Sequence, residues 1–135
     1  MSTMPGKIKV AVDNEVRLTS TGATTATGTA QNKGTATDLL LTLIIGQDGA
    51  TAVTGTLAPI VQGSNSTNSG FTTITPDKGT LPATTNAATV VSVHFAQLQF
   101  QYVRFQVTSA GAATCDISAV WAFMPVEDSF DATVQ

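Results

Sequence analysis

Apolar and polar residues alternate with a period of two along much of the chain, the signature of strands that bury one face. Ile8, Val10 and Val12 stand against Lys7, Lys9 and Ala11, and Val16 and Leu18 resume the alternation after Asp13-Asn14, which reads as a turn. The Thr/Ala/Gly tract from Thr19 to Thr37 predicts one exposed strand and its loops, with the clearest turn signal at Asn32-Lys33-Gly34. Leu39 to Ile45 is apolar on both parities, which predicts a central strand covered on both faces. Gln47-Asp48-Gly49 has hairpin chemistry, and Thr51 to Leu57 is the partner expected after it.

From Pro59 to Ala88 the chain reads as long loops, with the polar run Gly63 to Gly70, one short strand near Phe71 to Thr75, and a turn at Pro76-Asp77-Lys78-Gly79. Alternation returns at Thr89: Val91, Val93 and Phe95 share one face, and Val103, Phe105 and Val107 another. Leu98 and Phe100 hold even parity between them, so the buried face has to switch, and a bulge or corner at Gln101-Tyr102 accounts for it. A last strand over Thr114 to Phe123 aligns Cys115, Ile117, Ala119, Trp121 and Phe123. No window carries sustained helical periodicity. Seven or eight short strands in one chain of 135 residues predict an all-β fold, a two-sheet antiparallel sandwich of jelly-roll type. The expected core is Ile8, Val10, Leu41, Leu43, Val91, Val93, Phe95, Val103, Phe105, Val107, Ile117, Ala119 and Trp121. One domain spans 1–135, with 125–135 as an extended C-terminal arm.

Composition narrows the function. Charged residues make up only 11% while Thr numbers 24 and Ala 18, so the surface is mostly uncharged and polar. Mean hydropathy is positive, which predicts that partners cover part of that surface. A net charge of −3 with six scattered basic residues lacks the footprint of a phosphate-tracking surface, so nucleic acid is not expected as a partner. One Cys and one His exclude a disulfide framework or a structural zinc site within the chain. The start, Met1 to Lys9, lacks the apolar stretch of a secretory signal, and no apolar run has the length of a membrane-spanning helix, so no membrane association is expected. Asn65-Ser66-Thr67 fits the glycosylation pattern, which carries meaning only in a secreted eukaryotic chain.

Candidate chemistry is sparse. His94 sits mid-strand, where a structural or interface role fits better than a general base, and Cys115 shares parity with Trp121 and Phe123 as a small buried hydrophobe. Asp13 with Glu15, Asp116, or the cluster Glu127, Asp128 and Asp131 could form a glycosidase pair, but Tyr102 and Trp121 give too few aromatics for a sugar cleft or a sugar-binding platform. Asp48-Gly49 alone does not make a calcium loop, and Gly46 to Gly49 lacks the elements of a phosphate loop. The expectation is therefore no catalytic, cofactor or metal residue. Parity places Tyr102 and Arg104 outward, at a sheet face or a subunit contact. Phe130, an isolated aromatic among acids, is the candidate anchor for a neighbour's groove, with Asp128 and Asp131 at its rim.

With this composition, the segments Phe100 to Gly111 and Cys115 to Phe123 resemble the ends of capsid decoration, or cement, proteins of tailed bacteriophages. One group of these ends in an aromatic-Val-Arg strand, a Gly-containing turn and an alternating final strand. The similarity covers roughly the last third of the chain and its length; residues 1–60 match in composition alone. The resemblance implies a jelly-roll-like sandwich made in the host cytoplasm that forms a homo-oligomer, a dimer or trimer, on the capsid exterior. There it would bridge major capsid protein subunits without catalysis or cofactor. A phage head fibre or tail component, or a carbohydrate-binding sandwich, is the alternative.

Overall fold

The computed structural model describes residues 9–20, 24–46, 57–82, 89–109 and 113–124, with side chains over 25–46, 57–82, 89–109 and 116–124. Nine strands are present among the described residues: β1 (Lys9–Ser20), β2 (Thr24–Thr27), β3 (Gln31–Asn32), β4 (Asp38–Gly46), β5 (Leu57–Ser64), β6 (Thr72–Ile74), β7 (Thr89–Phe95), β8 (Tyr102–Ser109) and β9 (Ala113–Met124). No helix occurs among the described residues. The strands form two antiparallel sheets, one ordered β1-β9-β4-β7 and the other β2-β8-β5-β6, with β3 also on β8.

β2 and β3 lie along the same edge of β8 and amount to one strand interrupted at 28–30. β2 pairs from Ser109 back to Gln106, the Gly28 amide donates to the Phe105 carbonyl at 3.0 Å, and β3 pairs with Val103 and Tyr102. Counted so, there are eight strands. They pair as first with last (β1 with β9), second with seventh (β2–β3 with β8), third with sixth (β4 with β7) and fourth with fifth (β5 with β6). A long ribbon folded once at β5–β6 and then wound on itself gives these pairs, and the winding adds β9 to β4 and β8 to β5. This is the jelly roll, two interlocked Greek keys that bury one face of each sheet.

The core follows period-two patterning. Leu39, Leu41, Leu43 and Ile45 of β4 meet Ile117, Ala119, Trp121 and Phe123 of β9 in register, and Val61, Val103, Phe105 and Val107 close the core from the other sheet. The Trp121 and Phe123 rings stack with centroids 6.4 Å apart and planes at 6°. Of the expected core, Val91 is only partly buried, packed against this cluster. Ile8 and the Val10 side chain lie outside the described residues; Ala26, Ala36, Leu39, Ile45, Leu57, Val61 and Phe123 are additional core members.

Five expectations are corrected. Asp13-Asn14 is no turn: β1 runs through it with a bulge, since Asp13 pairs with Ala119 and Val16 with Ile117, leaving two residues opposite one. β4 is central but covered on one face only, because the second sheet stacks on one side, and Leu40 is 42% exposed on the other. The strand after β4 is not its hairpin partner; β5 starts at Leu57 in the other sheet, while 47–56 lie outside the described residues. Pro59 belongs to β5 and not to a loop. It is tolerated because β6 pairs only with Val61 to Gly63, so Pro59 has a neighbouring strand on the β8 side alone. Finally, of the bulge or corner expected at Gln101-Tyr102, the bulge is absent and the corner is longer than expected: the chain passes between the sheets over 96–101, with Gln97 at φ 52.

Candidate functional site

The outer face of the second sheet is a ladder of uncharged hydrogen-bonding side chains around one cation. Thr25 Oγ1 lies 3.2 Å from Thr108 Oγ1, and Gln106 Nε2 donates to Thr27 Oγ1 at 3.2 Å. One step along, Arg104 Nε donates to Gln62 Oε1 at 2.9 Å. The Arg104 guanidinium lies 3.9 Å from the centroid of the Phe71 ring. The loop 64–71 delivers that ring: the Ser66 amide donates to Ser64 Oγ, and the Ser66, Asn68 and Ser69 side chains bond among themselves. The Gly63 to Gly70 run is thus a self-bonded turn that brings Phe71 back over β8. Asn65 Oδ1 also accepts from the Gln101 amide at 3.0 Å, pinning the loop to the start of β8. Tyr102 and Arg104 are both half-buried on this face.

A different surface forms on the first sheet. Its outward residues among the described side chains are Leu40, Thr42 and Ile44 of β4, Ser118, Val120 and Ala122 of β9, and Val90, Ser92 and His94 of β7, in register across three strands. Leu40, at 42%, and Val90, at 70%, are the exposed large hydrophobics among the described residues, and both stand here. Thr42 Oγ1 and Ser92 Oγ bond to each other at 2.9 Å, so the hydroxyls in the middle satisfy one another. The charged groups lie at the two ends, Asp38 and His94 at one and Asp116 at the other.

His94 is part of a corner that closes the β7 edge. The Asp77 and Lys78 amides donate to its carbonyl at 2.7 and 3.2 Å, and its own amide donates to the Lys78 carbonyl at 2.9 Å. Its Nε2 stands 3.5 Å from Asp38 Oδ2, while Nδ1 is buried without a partner. Both nearby carboxylates are engaged by backbone: the Ala96 amide donates to Asp77 and the Gln97 amide to Asp38 Oδ1 at 3.2 Å. These contacts hold the 96–101 crossover and block the free edge of β7. Asp38 and Asp77 escaped the sequence reading because each acts on a partner distant in the chain.

Two shallow depressions flank β6, about 380 Å³ between Pro59 to Val61 and the 79–82 loop, and about 260 Å³ between Thr75 and the crossover. The first is lined by Pro, Ile, Val, Leu, Thr and Gly, and the second holds Asp77 alone among carboxylates. No group of three or more His, Cys, Asp or Glu capable of holding a metal occurs among the described residues. Trp121 is fully buried, so it contributes nothing to a sugar-binding platform; Phe71, which the sequence did not single out, is half-buried against the Arg104 guanidinium. Phe130, Asp128 and Asp131, with the rest of the 125–135 arm and Glu127, lie outside the described residues, as does the Cys115 side chain. No protein-family model and no curated protein matches the chain.

Proposed function

We propose that the protein is a non-enzymatic structural component of a virion that decorates a phage capsid and stabilises it by bridging major capsid protein subunits. The observation that carries the reading is the outer face of the first sheet, where the exposed Leu40 and Val90 stand with the half-buried Ile44, Val120 and Ala122 in an apolar patch with no charge between its ends among the described side chains. The largest apolar patch on a domain is often its functional one. Three strands about 4.8 Å apart and five or six residues long give the patch roughly 300 Å². A stable two-body contact needs about 800 Å² per partner. The face therefore binds weakly alone and gains strength by multiplicity, the situation of an oligomer on a repeating lattice. A homo-oligomer, dimer or trimer, is part of this reading, with Phe130, Asp128 and Asp131 of the arm supplying the second contact.

A ligand that binds the assembled lattice and not its separate subunits stabilises the assembly by mass action, and no reaction is required. The jelly roll suits this role because its sheets present two broad faces, and of its edge strands β6 is short and β7 is blocked by the 77–79 turn. The test is to heat particles lacking the protein beside wild-type particles. The reading expects the bare particles to release their contents at a lower temperature. Equal release temperatures, or labelling that puts the protein on the tail, would refute it in favour of a fibre or tail component.

A further inference from the structure

We infer that the outer face of the second sheet is an interaction surface in its own right, and that it takes an acidic side chain, Asp or Glu, of a protein partner on Arg104. Arg104 is the one charged residue in the five strands of this sheet, β2, β3, β5, β6 and β8. Its position is fixed twice, by Nε donating to Gln62 Oε1 at 2.9 Å and by the guanidinium lying 3.9 Å from the centroid of the Phe71 ring. The bond to Gln62 uses up an acceptor, so what stays open here are donors. The Arg104 Nη groups, the Gln62 Nε2 and, two residues away on the same face of β8, the Tyr102 hydroxyl meet no acceptor among the described residues, and all three side chains are half-buried. A guanidinium held this way has already lost most of its rotamer freedom, and its open edge presents parallel donors that match the two oxygens of a carboxylate.

Charge and shape select the ligand. A single cation among uncharged side chains, on a chain of net charge −3, suits one monoanionic group; a polyanion binds through several Lys and Arg contacts to its phosphates, and this face has no second cation to offer. The surface around the donors is an open sheet face. Arg104 and Tyr102 line neither of the two depressions beside β6, whereas small-molecule sites are concave. Arg and Tyr stand together here with the Phe71 ring against the guanidinium, and the neighbouring Thr25, Thr27, Gln106 and Thr108 side chains are already bonded to one another. This is the make-up of a protein contact, in which a few Arg and aromatic side chains carry most of the binding energy and neutral polar groups around them exclude water. The face lies on the opposite side of the sandwich from the apolar patch of the first sheet, so the inference adds a second surface and does not rest on the capsid reading.

The experiment is NMR of the full chain titrated at constant ionic strength with acetyl-aspartate N-methylamide, its neutral isostere acetyl-asparagine N-methylamide, and inorganic phosphate. The expected result is a saturable shift of the Arg104 Nε–H peak with the aspartate probe in the millimolar range, and no saturable shift with the asparagine probe. Arg104→Lys keeps the charge but loses the fork of donors, so the same titration followed on the Gln62 and Gln106 backbone amides should show affinity reduced at least about tenfold. An Arg104 peak that neither probe moves, or that both move alike, overturns the inference, as does an Arg104→Lys variant that binds as tightly as wild type. Phosphate binding more tightly than the aspartate probe assigns the site to phosphate and overturns the carboxylate claim. An Arg104 peak that moves when the protein is diluted without any probe assigns the carboxylate to a second copy and overturns the claim of a separate partner.

Discussion

Trp121 carries a cost that its core neighbours do not, since its Nε1 is buried without a partner while the ring fills the middle of β9. A buried unpaired donor costs about 1–3 kcal/mol, and emptying a Trp site costs about 3–5 kcal/mol. Trp121→Phe is therefore expected to cost under about 1.5 kcal/mol, because the lost volume is offset by the removed donor, while Trp121→Ala loses the full amount. Urea unfolding of both variants checks this, and equal losses would contradict it. Gly79 poses a second residue-scale constraint. At φ +80 it passes so close to β7 that a Cβ would stand 2.7 Å from the Ser92 carbonyl oxygen. Gly79→Ala should lower stability by about 1–3 kcal/mol and raise amide exchange around His94, where the 77–79 turn closes the edge; unchanged exchange there would count against the contact. The sequence marks Pro76 to Gly79 as a turn but not as an edge cover, since that role depends on a strand more than ten residues away.

Among elements, legibility follows how local the cause is. Alternation alone locates β7, β8 and β9 and the inward sides of β8 and β9, because each side chain's face is set by parity. β4 shows the limit: seven nearly continuous apolar residues read as doubly covered, yet only the odd ones are buried, and the even ones form the exposed face proposed here as a contact. β5 was hidden by Pro59, whose place in a strand depends on how short β6 is. The exposed face yields the element-scale prediction. Leu40→Lys with Val90→Asp changes outward side chains on β4 and β7, so stability should shift by no more than about 0.5 kcal/mol per site. Urea unfolding of the double variant checks this, and a midpoint that collapses relative to wild type would show these side chains to be part of the packing and not a free contact face.

For the whole molecule, strand count, length and the absence of helical periodicity made the sandwich readable, and the pairing of first strand with last completes it as a jelly roll. The topology itself was not readable, since a ribbon wound on itself joins residues about a hundred positions apart, as Lys9 with Phe123. Of the candidate site, outward placement of Tyr102 and Arg104 followed from parity, but Gln62 and Phe71, which fix the guanidinium, come from another strand and a folded loop. Function is the least legible level, because a surface that works by area and repetition needs no invariant chemical motif.

The decoration role is tested most directly by sedimenting purified protein with particles that lack it, using wild type and the Leu40→Lys, Val90→Asp variant side by side. The account predicts that wild type pellets with the particles in a saturable ratio and that the variant stays largely in the supernatant. Wild-type protein that remains in solution at every particle concentration would contradict it.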